Sequence, residues 1–257
     1  MTAPARLRAI VGVLLTGVAV VALAGCASEG DDRLTVYAAA SLTEPFPQID
    51  ATPRFSFAGS DTLALQIRQG APADVVASAA PRYTQELYRE GFVEKPRLLA
   101  LNRLTVIVPR ANPAHLDSVD DLAGDGVRLV IAAPGVPVGG YTRTTLHALG
   151  LSGALHNVVS EEADVKDVVG KVALGQADAG VVYTTDARAA AARVRAIAIP
   201  ASAQPEIRYE IAVVRSSAHP AAARAFVERA TGAEGRRILA RAGFAQPARA
   251  APGPAPS

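Results

Sequence analysis

The sequence predicts an α/β fold in which each sheet is covered by helices on both faces. Half of the 257 residues are hydrophobic, which is ample for a large packed core. Short runs of continuous apolar residues alternate with helical patterns, and unbroken apolarity is typical of strands that are buried on both faces. A single cysteine excludes a disulfide framework, so the fold must depend on its core.

The predicted elements follow one another in strand and helix order. Short apolar, β-rich runs predict strands at residues 34–39, 74–78, 104–108, 127–132, 179–183 and 211–214. Helical patterns cover residues 60–69, 81–90, 141–149, 165–174 and 220–230. This alternation indicates the α/β class.

The amino terminus has the pattern of an export signal. Arg6 and Arg8 form a short basic region, and an apolar run over residues 10–24 follows. That run is too short, and ends in residues too small, for a membrane span. The carboxyl-terminal residues 247–257 are rich in Pro and Ala, and we expect them to be a disordered tail.

The apolar run ends in Leu23-Ala24-Gly25-Cys26, which resembles a bacterial lipobox. The resemblance implies a lipoprotein signal peptide at residues 1–25, lipidation of Cys26 and a polar tether over residues 26–32. Acyl chains contribute roughly 0.8 kcal/mol per buried CH₂, so the lipid would hold the protein on the outer face of the cell membrane. The alternative is an ordinary secretory signal followed by an incidental free thiol.

Composition argues against several classes of function. The net charge is +2, there is no Trp, and no basic patch is interleaved with aromatic residues, so we expect no nucleic-acid partner. No phosphate loop, nucleophile elbow or zinc motif is present, and neither an enzyme nor a resident metal cation or cofactor is expected. Surface positions are the better interpretation of the scattered histidines His115, His147, His156 and His219.

Small polar residues stand at the predicted helix starts. Ser41 and Glu44 have the spacing of a capping box, and Ser60 is placed to cap the helix over residues 60–69. A glycine-rich segment precedes the helix expected to begin near Tyr141, and Asp164 precedes another. Helix starts present unpaired N–H groups and about half a positive charge, so several converging starts would bind an anion without any cation. Capping alone is the alternative for each of them, because every helix needs a cap.

Taken together, six segments resemble the molybdate-binding periplasmic proteins of ABC transporters, in order and at suitable spacings over the whole mature chain. The segments are Ala38-Ala39-Ala40-Ser41-Leu42-Thr43, residues 56–64 (Ser-Phe-Ala-Gly-Ser-Asp-Thr-Leu-Ala), Gly70-Ala71-Pro72-Ala73-Asp74-Val75, Val136-Pro137-Val138-Gly139-Gly140-Tyr141, Ala163-Asp164-Val165 and residues 180–187 (Gly-Val-Val-Tyr-Thr-Thr-Asp-Ala).

The resemblance implies a two-lobed periplasmic binding protein of type II, with a mixed sheet flanked by helices in each lobe and the ligand in the cleft between them. The chain would cross twice between the lobes. Lobe one would contain residues 33–108 and 206–246, and lobe two residues 109–205.

The resemblance also implies the site. Ser41 and Ser60 would contact molybdate or tungstate by hydroxyl and backbone N–H, Val138 and Val165 by backbone N–H, and Tyr183 by its phenolic hydroxyl. The alternative for Tyr183 is a strand-end residue with its hydroxyl in solvent. The family often has a small residue where Val138 stands, which a backbone donor tolerates.

A further departure from the family is Asp61, where a hydroxyl residue is common. As a first-turn acid on the helix dipole, its carboxylate is expected to face solvent. The alternative is a carboxylate that lines the cleft, where it would accept the proton of phosphate and repel a dianion. The implied partners are an ABC permease and its ATPase, with the protein acting as a monomer. Two other functions remain open: a binding protein for sulfate or phosphate, and an extracytoplasmic oxyanion sensor.

Overall fold

The computed structural model describes residues 33–246. The strands in this range are β1 (Thr35–Ala39), β2 (Arg54–Ala58), β3 (Val75–Ser78), β4 (Arg97–Asn102), β5 (Leu104–Pro109), β6 (Leu129–Ala132), β7 (Val158–Glu162), β8 (Ala179–Tyr183), β9 (Val194–Ala198) and β10 (Ile207–Val213). The helices are α1 (Phe46–Ile49), α2 (Ser60–Arg68), α3 (Pro81–Arg89), α4 (Pro137–Ala148), α5 (Val165–Ala173), α6 (Thr184–Ala189), α7 (Pro220–Thr231) and α8 (Ala233–Arg241). Cys26, the expected signal peptide and tether, and the expected tail lie outside the described residues.

The strands form two five-stranded sheets with the same plan. The first sheet has the order β2-β1-β3-β10-β4, and the second has the order β7-β6-β8-β5-β9. In each sheet three neighbouring strands are parallel, and the fourth strand in the order runs antiparallel to both of its neighbours. Helices pack against these mixed sheets, and the α/β, two-lobed fold expected from the sequence is confirmed.

The chain crosses between the sheets twice, and the first crossing lies earlier than expected. β5 is hydrogen-bonded on both sides within the second sheet, where Leu104 pairs with Tyr183 and Thr105 pairs with Ala198. The expected boundary after residue 108 is therefore wrong, since Arg103 alone joins β4 to β5. The chain returns to the first sheet between β9 and β10. Lobe one is hereafter residues 33–102 and 207–246, and lobe two is residues 104–198.

The position of a strand in its sheet explains which strands the sequence predicted. The six predicted strands are β1, β3, β5, β6, β8 and β10, which are the interior strands of the two sheets. The four that were not predicted, β2, β4, β7 and β9, are the edge strands. Edge strands contain partly exposed side chains, and in β2, β7 and β9 polar or charged residues interrupt the apolar run. Residues 98–101 of β4 are all apolar, and the sequence prediction missed this strand.

The start of α4 also differs from the prediction. α4 begins at Pro137, four residues before Tyr141, although two glycines follow that proline. Proline is well suited to the first helical position because its missing N–H would have no partner there. A Cβ on Gly139 would lie 2.1 Å from the carbonyl oxygen of Ala133, so only glycine allows this close approach.

Aromatic packing fixes the region between the lobes. The ring of Tyr183, at the end of β8, contacts that of Tyr209 on β10 edge-on, with centroids 5.8 Å apart. Tyr209 in turn packs edge-on against Phe244 at 5.2 Å. These rings belong to one buried cluster that includes apolar residues of both sheets. Within residues 33–246, every helix is too short or too polar to cross a membrane.

Candidate ligand-binding site

A small cavity lies between the lobes. Its wall is formed where strands β1, β2 and β8 end and where helices α2, α4 and α5 begin. Ligands of α/β proteins commonly bind beyond the carboxyl ends of parallel strands. The structure brings all five residues of the predicted site to this one cavity: Ser41, Ser60, Val138, Val165 and Tyr183.

Ser60 is the first residue of α2, and its hydroxyl is held from behind. The side chain is buried, and its Oγ accepts a hydrogen bond of 3.0 Å from the backbone N–H of Ala79. The expected capping role is wrong, because Gly59 occupies the cap position and no side chain caps this helix. Since the oxygen accepts from Ala79, the hydroxyl proton remains available to a ligand.

Ser41 lies in a short 3₁₀ turn, Ala40–Leu42, that follows β1. The expected capping box with Glu44 is wrong, because no side chain caps this turn. The Ser41 hydroxyl turns inward instead and lies 2.8 Å from the hydroxyl of Tyr209. Both side chains are buried, so the two hydroxyls must satisfy each other.

The start of α4 presents Val138 to the cavity. Pro137 has no N–H, so the N–H of Val138 is the first one that the helix offers. The first turn of a helix has no intrahelical acceptor for its N–H groups, and these groups carry the positive end of the helix dipole. Val138 is buried at the cavity wall, where its N–H can bind an anion.

The start of α5 likewise leaves one backbone N–H available to a ligand. Asp164 caps this helix, and its carboxylate accepts from the N–H groups of Lys166 at 2.7 Å and Asp167 at 3.1 Å. The cap therefore satisfies the second and third amides of the helix. The N–H of Val165, the first helical residue, is left for a ligand.

Tyr183 supplies an unpartnered hydroxyl. Its side chain is 2% exposed, and its oxygen has no hydrogen-bond partner among the described residues. Burial raises the pKa of Tyr183 well above its ordinary value, so the hydroxyl stays protonated. It can therefore donate a hydrogen bond to an anion. A buried polar group without a partner costs about 1–3 kcal/mol, which a ligand oxygen at this position would remove.

The cavity is neutral apart from one occupied carboxylate. Asp164 is the only charged residue in its wall, and no lysine or arginine lines it within the described range. Lys166 lies next to Val165 in sequence, but its ammonium group is taken by Glu44 at 2.8 Å and by Asp186 at 3.3 Å. Burial raises the pKa of Asp186 to about 6, and Lys166 opposes that rise. An anion in the cavity would thus meet dipoles rather than a formal cation.

Several contacts join the lobes around the cavity. On one side, Tyr83 and Arg82 of α3 donate to the carbonyl oxygen of Gly135 in lobe two. On another, Lys166 of lobe two pairs with Glu44 of lobe one. A Cβ on Gly59 would lie 2.7 Å from the Ala163 carbonyl oxygen, so only glycine allows the lobes to approach this closely there.

The solvent-facing position expected for Asp61 is wrong. Its Oδ1 atom is buried and has no hydrogen-bond partner among the described residues. The carboxylate lies against lobe two, where a Cβ on Gly135 would be 3.3 Å from Oδ2. Asp61 is not part of the cavity wall. The loop of lobe two covers this first-turn acid, and a pattern within one helix cannot reveal such a contact.

Comparisons with known proteins agree with this geometry. A family described as bacterial extracellular solute-binding protein matches residues 34–245. The molybdate-binding protein ModA of Mycobacterium tuberculosis is 40% identical over 230 residues, which cover 86% of this chain and 87% of the relative. ModA of Escherichia coli is 30% identical over 239 residues, covering 87% of this chain and 93% of the relative.

Solved structures give the same result. The periplasmic molybdate-binding protein of Azotobacter vinelandii matches with a TM-score of 0.76 at 26% identity, covering 84% of this chain and 100% of that one. Fold and site thus define a two-lobed periplasmic binding protein whose cleft offers neutral donors. The chain belongs to the family of bacterial extracellular solute-binding proteins that includes the molybdate-binding proteins.

Proposed function

We propose that this chain is the extracytoplasmic substrate-binding component of an ABC importer and that it captures molybdate, and also tungstate. The observation that carries the proposal is the buried, unpartnered hydroxyl of Tyr183 at a cavity where three helix starts converge. All of these groups donate hydrogen bonds, and the only carboxylate in the wall is occupied by backbone amides. A fully deprotonated oxyanion is the ligand that such a set of donors fits.

Neutral donors can hold a dianion tightly. Hydrogen bonds to charged groups contribute about 1.5–3 kcal/mol each, so five or more of them offset the cost of removing the anion from water. Spreading the neutralisation over dipoles also avoids a buried ion pair, whose desolvation penalty is large. The lobes are in contact beside the cavity, and each of these bonds is stronger where the closed lobes exclude water from the bound anion.

The same donor set argues against phosphate, which keeps at least one proton at neutral pH. Its P–OH group would face donors only, at a cost of about 1–3 kcal/mol. Asp61 could have accepted that proton, but it lies outside the cavity wall. Sulfate carries no proton, and the identity of 40% to a molybdate-binding protein is what favours molybdate over sulfate.

The remaining parts of the proposal concern partners and location. The similarity to molybdate-binding proteins supports delivery of the anion to a permease and its ATPase, rather than a sensor that signals to a membrane kinase. We infer that the protein acts as a monomer, without a cofactor, and releases its ligand chemically unchanged. A lipid on Cys26 would anchor it outside the cell membrane. Mass spectrometry of the wild-type protein and of Cys26→Ser would test the anchor, since only the wild type should contain the lipid.

Calorimetric titration of the protein lacking residues 1–25 tests the cargo directly. Molybdate and tungstate should bind similarly and far more tightly than sulfate, with phosphate weakest. A ligand present at 100 times its Kd should also raise the free energy of unfolding by about 2.7 kcal/mol, which a thermal-shift assay detects. Phosphate binding more tightly than molybdate, or no binding of any of the four anions, would contradict the proposal.

A further inference from the structure

A chain of buried hydrogen bonds lies behind the Ser41 hydroxyl and ends at the crossing between the lobes. Ser41 Oγ is 2.8 Å from the hydroxyl of Tyr209, and that hydroxyl is 3.4 Å from Nδ2 of Asn102. Asn102 is the last residue of β4, next to the crossing residue Arg103. Neither Asn102 nor Tyr209 lines the cavity, and both are buried.

The orientation of the Asn102 amide is fixed by its other partners. Its Oδ1 accepts from the backbone N–H of Arg103 at 2.9 Å and from the Thr184 hydroxyl at 3.1 Å. Its Nδ2 donates to the Thr185 hydroxyl at 3.0 Å. A flipped amide would place its NH₂ group against the Arg103 N–H, so that two donors would face each other.

This orientation sets the direction of the bonds that follow. Nδ2 can only donate, so the Tyr209 oxygen accepts from Asn102. The other hydrogen-bond partner of this hydroxyl among the described residues is Ser41 Oγ, which we therefore take as the acceptor of the Tyr209 proton. Burial raises the pKa of Tyr209 well above its ordinary value, so this proton is retained. Ser41 Oγ then accepts from Tyr209, and its own proton is left for the cavity.

We propose that Asn102 and Tyr209 are positioning residues that fix Ser41 as a donor and thereby select fully deprotonated oxyanions over protonated ones. This inference rests on the proposed function, because it assumes that the cavity binds an oxyanion. Without the relay, Ser41 could donate to Tyr209 and turn a lone pair towards the ligand. That orientation would repel molybdate or sulfate and would accept the proton of hydrogen phosphate.

A double-mutant cycle tests whether Tyr209 acts through Ser41. Tyr209→Phe retains the ring that packs between Tyr183 and Phe244 and removes only the hydroxyl. It should raise the Kd for molybdate about 3- to 10-fold, the usual effect of one hydrogen bond. In a Ser41→Ala background the same change should have almost no effect. Ser60→Ala is the matched control background, because Ser60 is held by Ala79 rather than by Tyr209, and there the full effect should remain.

The ratio of sulfate to phosphate affinity is a readout that a purely structural role would not change. In competition titrations against molybdate, Tyr209→Phe should reduce the preference for sulfate over phosphate at least 3-fold, since a free Ser41 hydroxyl can then accept the phosphate proton. Asn102→Asp replaces the donor with an acceptor and should reduce the ratio further. These titrations are run at mildly alkaline pH, where phosphate is almost entirely the hydrogen phosphate dianion, so that the added charge acts alike on it and on the sulfate dianion.

The outcomes separate this inference from the proposed function. If Ser41→Ala, Ser60→Ala and Tyr183→Phe all leave molybdate affinity unchanged, the proposed binding site is wrong. If those variants bind more weakly but Tyr209→Phe has the same effect in both serine backgrounds, only the relay is wrong. An unchanged ratio of sulfate to phosphate affinity in Tyr209→Phe and Asn102→Asp would likewise overturn the relay. Should Tyr209→Phe fail to fold, the ratio in Asn102→Asp alone decides.

Discussion

The two lobes supply donors to the cavity in different ways. Lobe one offers the hydroxyls of Ser41 and Ser60, and each of these has a hydrogen-bond partner within the protein. Lobe two offers the backbone amides of Val138 and Val165 and the hydroxyl of Tyr183, for which the described residues provide no partner. Donors of lobe one are thus held in place before a ligand arrives, whereas those of lobe two are left unsatisfied.

This difference predicts different consequences when a donor is removed. Deleting a hydroxyl in lobe one also deprives a buried protein group of its partner, so both affinity and stability should fall. Deleting a donor in lobe two removes only a bond to the ligand, so affinity should fall without loss of stability. Affinity for molybdate and the free energy of unfolding of the ligand-free protein must therefore be measured together for each variant.

The largest effect is expected when Val165 of lobe two is replaced by proline. Proline is tolerated at the first position of a helix, and Asp164 before it has φ −155° and ψ 175°, the extended backbone that precedes proline readily. The substitution removes the amide donor and places a ring carbon where the anion would bind. Molybdate affinity measured by calorimetry should fall by at least about 3 kcal/mol, or more than 100-fold.

Val165→Ala is the matched control for that variant. It keeps the amide and loses only buried methyl groups, so it should be less stable by about 1 kcal/mol with nearly unchanged affinity. Equal molybdate affinities of the proline and alanine variants would show that this amide does not contact the ligand.

A smaller loss is expected for Tyr183→Phe. Molybdate affinity should fall by about 1.5–3 kcal/mol, because one charge-assisted donor is lost. The ligand-free protein should be as stable as the wild type or more stable by up to about 1 kcal/mol, since the deleted hydroxyl has no partner. Thermal unfolding without ligand checks this second part. A clear loss of stability would mean that the hydroxyl has a structural role.

Ser60→Ala is the corresponding test in lobe one. Its molybdate affinity should fall by about 1.5–2 kcal/mol, and the ligand-free protein should also lose about 1–2 kcal/mol because the buried N–H of Ala79 loses its acceptor. Chemical denaturation gives the second value. A Ser60→Ala protein with unchanged stability would remove the proposed distinction between the lobes.

The sequence predicted which residues meet at the cavity better than it predicted their surroundings. Ser41, Ser60, Val138, Val165 and Tyr183 converge as the family resemblance implied. The capping roles assigned to the two serines were wrong, because their hydroxyls bind groups that are distant in sequence or outside any local motif. Capping patterns describe a few neighbouring residues and contain no information about such tertiary partners.

The same limit applies to the contacts between the lobes. The structure shows that Asp61 is covered by the loop containing Gly135, and that Asn102 and Tyr209 support Ser41 from behind. Gly135, Asn102 and Tyr209 belong to no motif that the sequence offered, and Asp61 was interpreted only from its place in its own helix. Interior strands were predictable because burial on both faces leaves a continuous apolar run, whereas edge strands and interlobe contacts leave no periodic signal.

The smallest effect concerns the ion pair that joins the lobes beside the start of α5. Lys166 of lobe two binds Glu44 of lobe one, whose side chain is 48% exposed. We expect molybdate to bind the conformation in which the two lobes are in contact. Glu44→Gln should then weaken molybdate binding by about 0.2–1 kcal/mol, which is the usual contribution of an exposed ion pair. Salt should remove most of this difference, because exposed charges are screened.

Glu161 provides the matched control for this last test. It is 46% exposed and pairs with Arg143 inside lobe two, so Glu161→Gln removes a similar ion pair that does not join the lobes. Calorimetry at low and high ionic strength should show weaker binding for Glu44→Gln at low salt and no change for Glu161→Gln at either. A general electrostatic effect on the anion would have the opposite sign, because removing a negative charge near an anion site should strengthen binding. Equal losses in the two variants would therefore contradict a role for the contact between the lobes, whereas weaker binding in Glu44→Gln alone supports it.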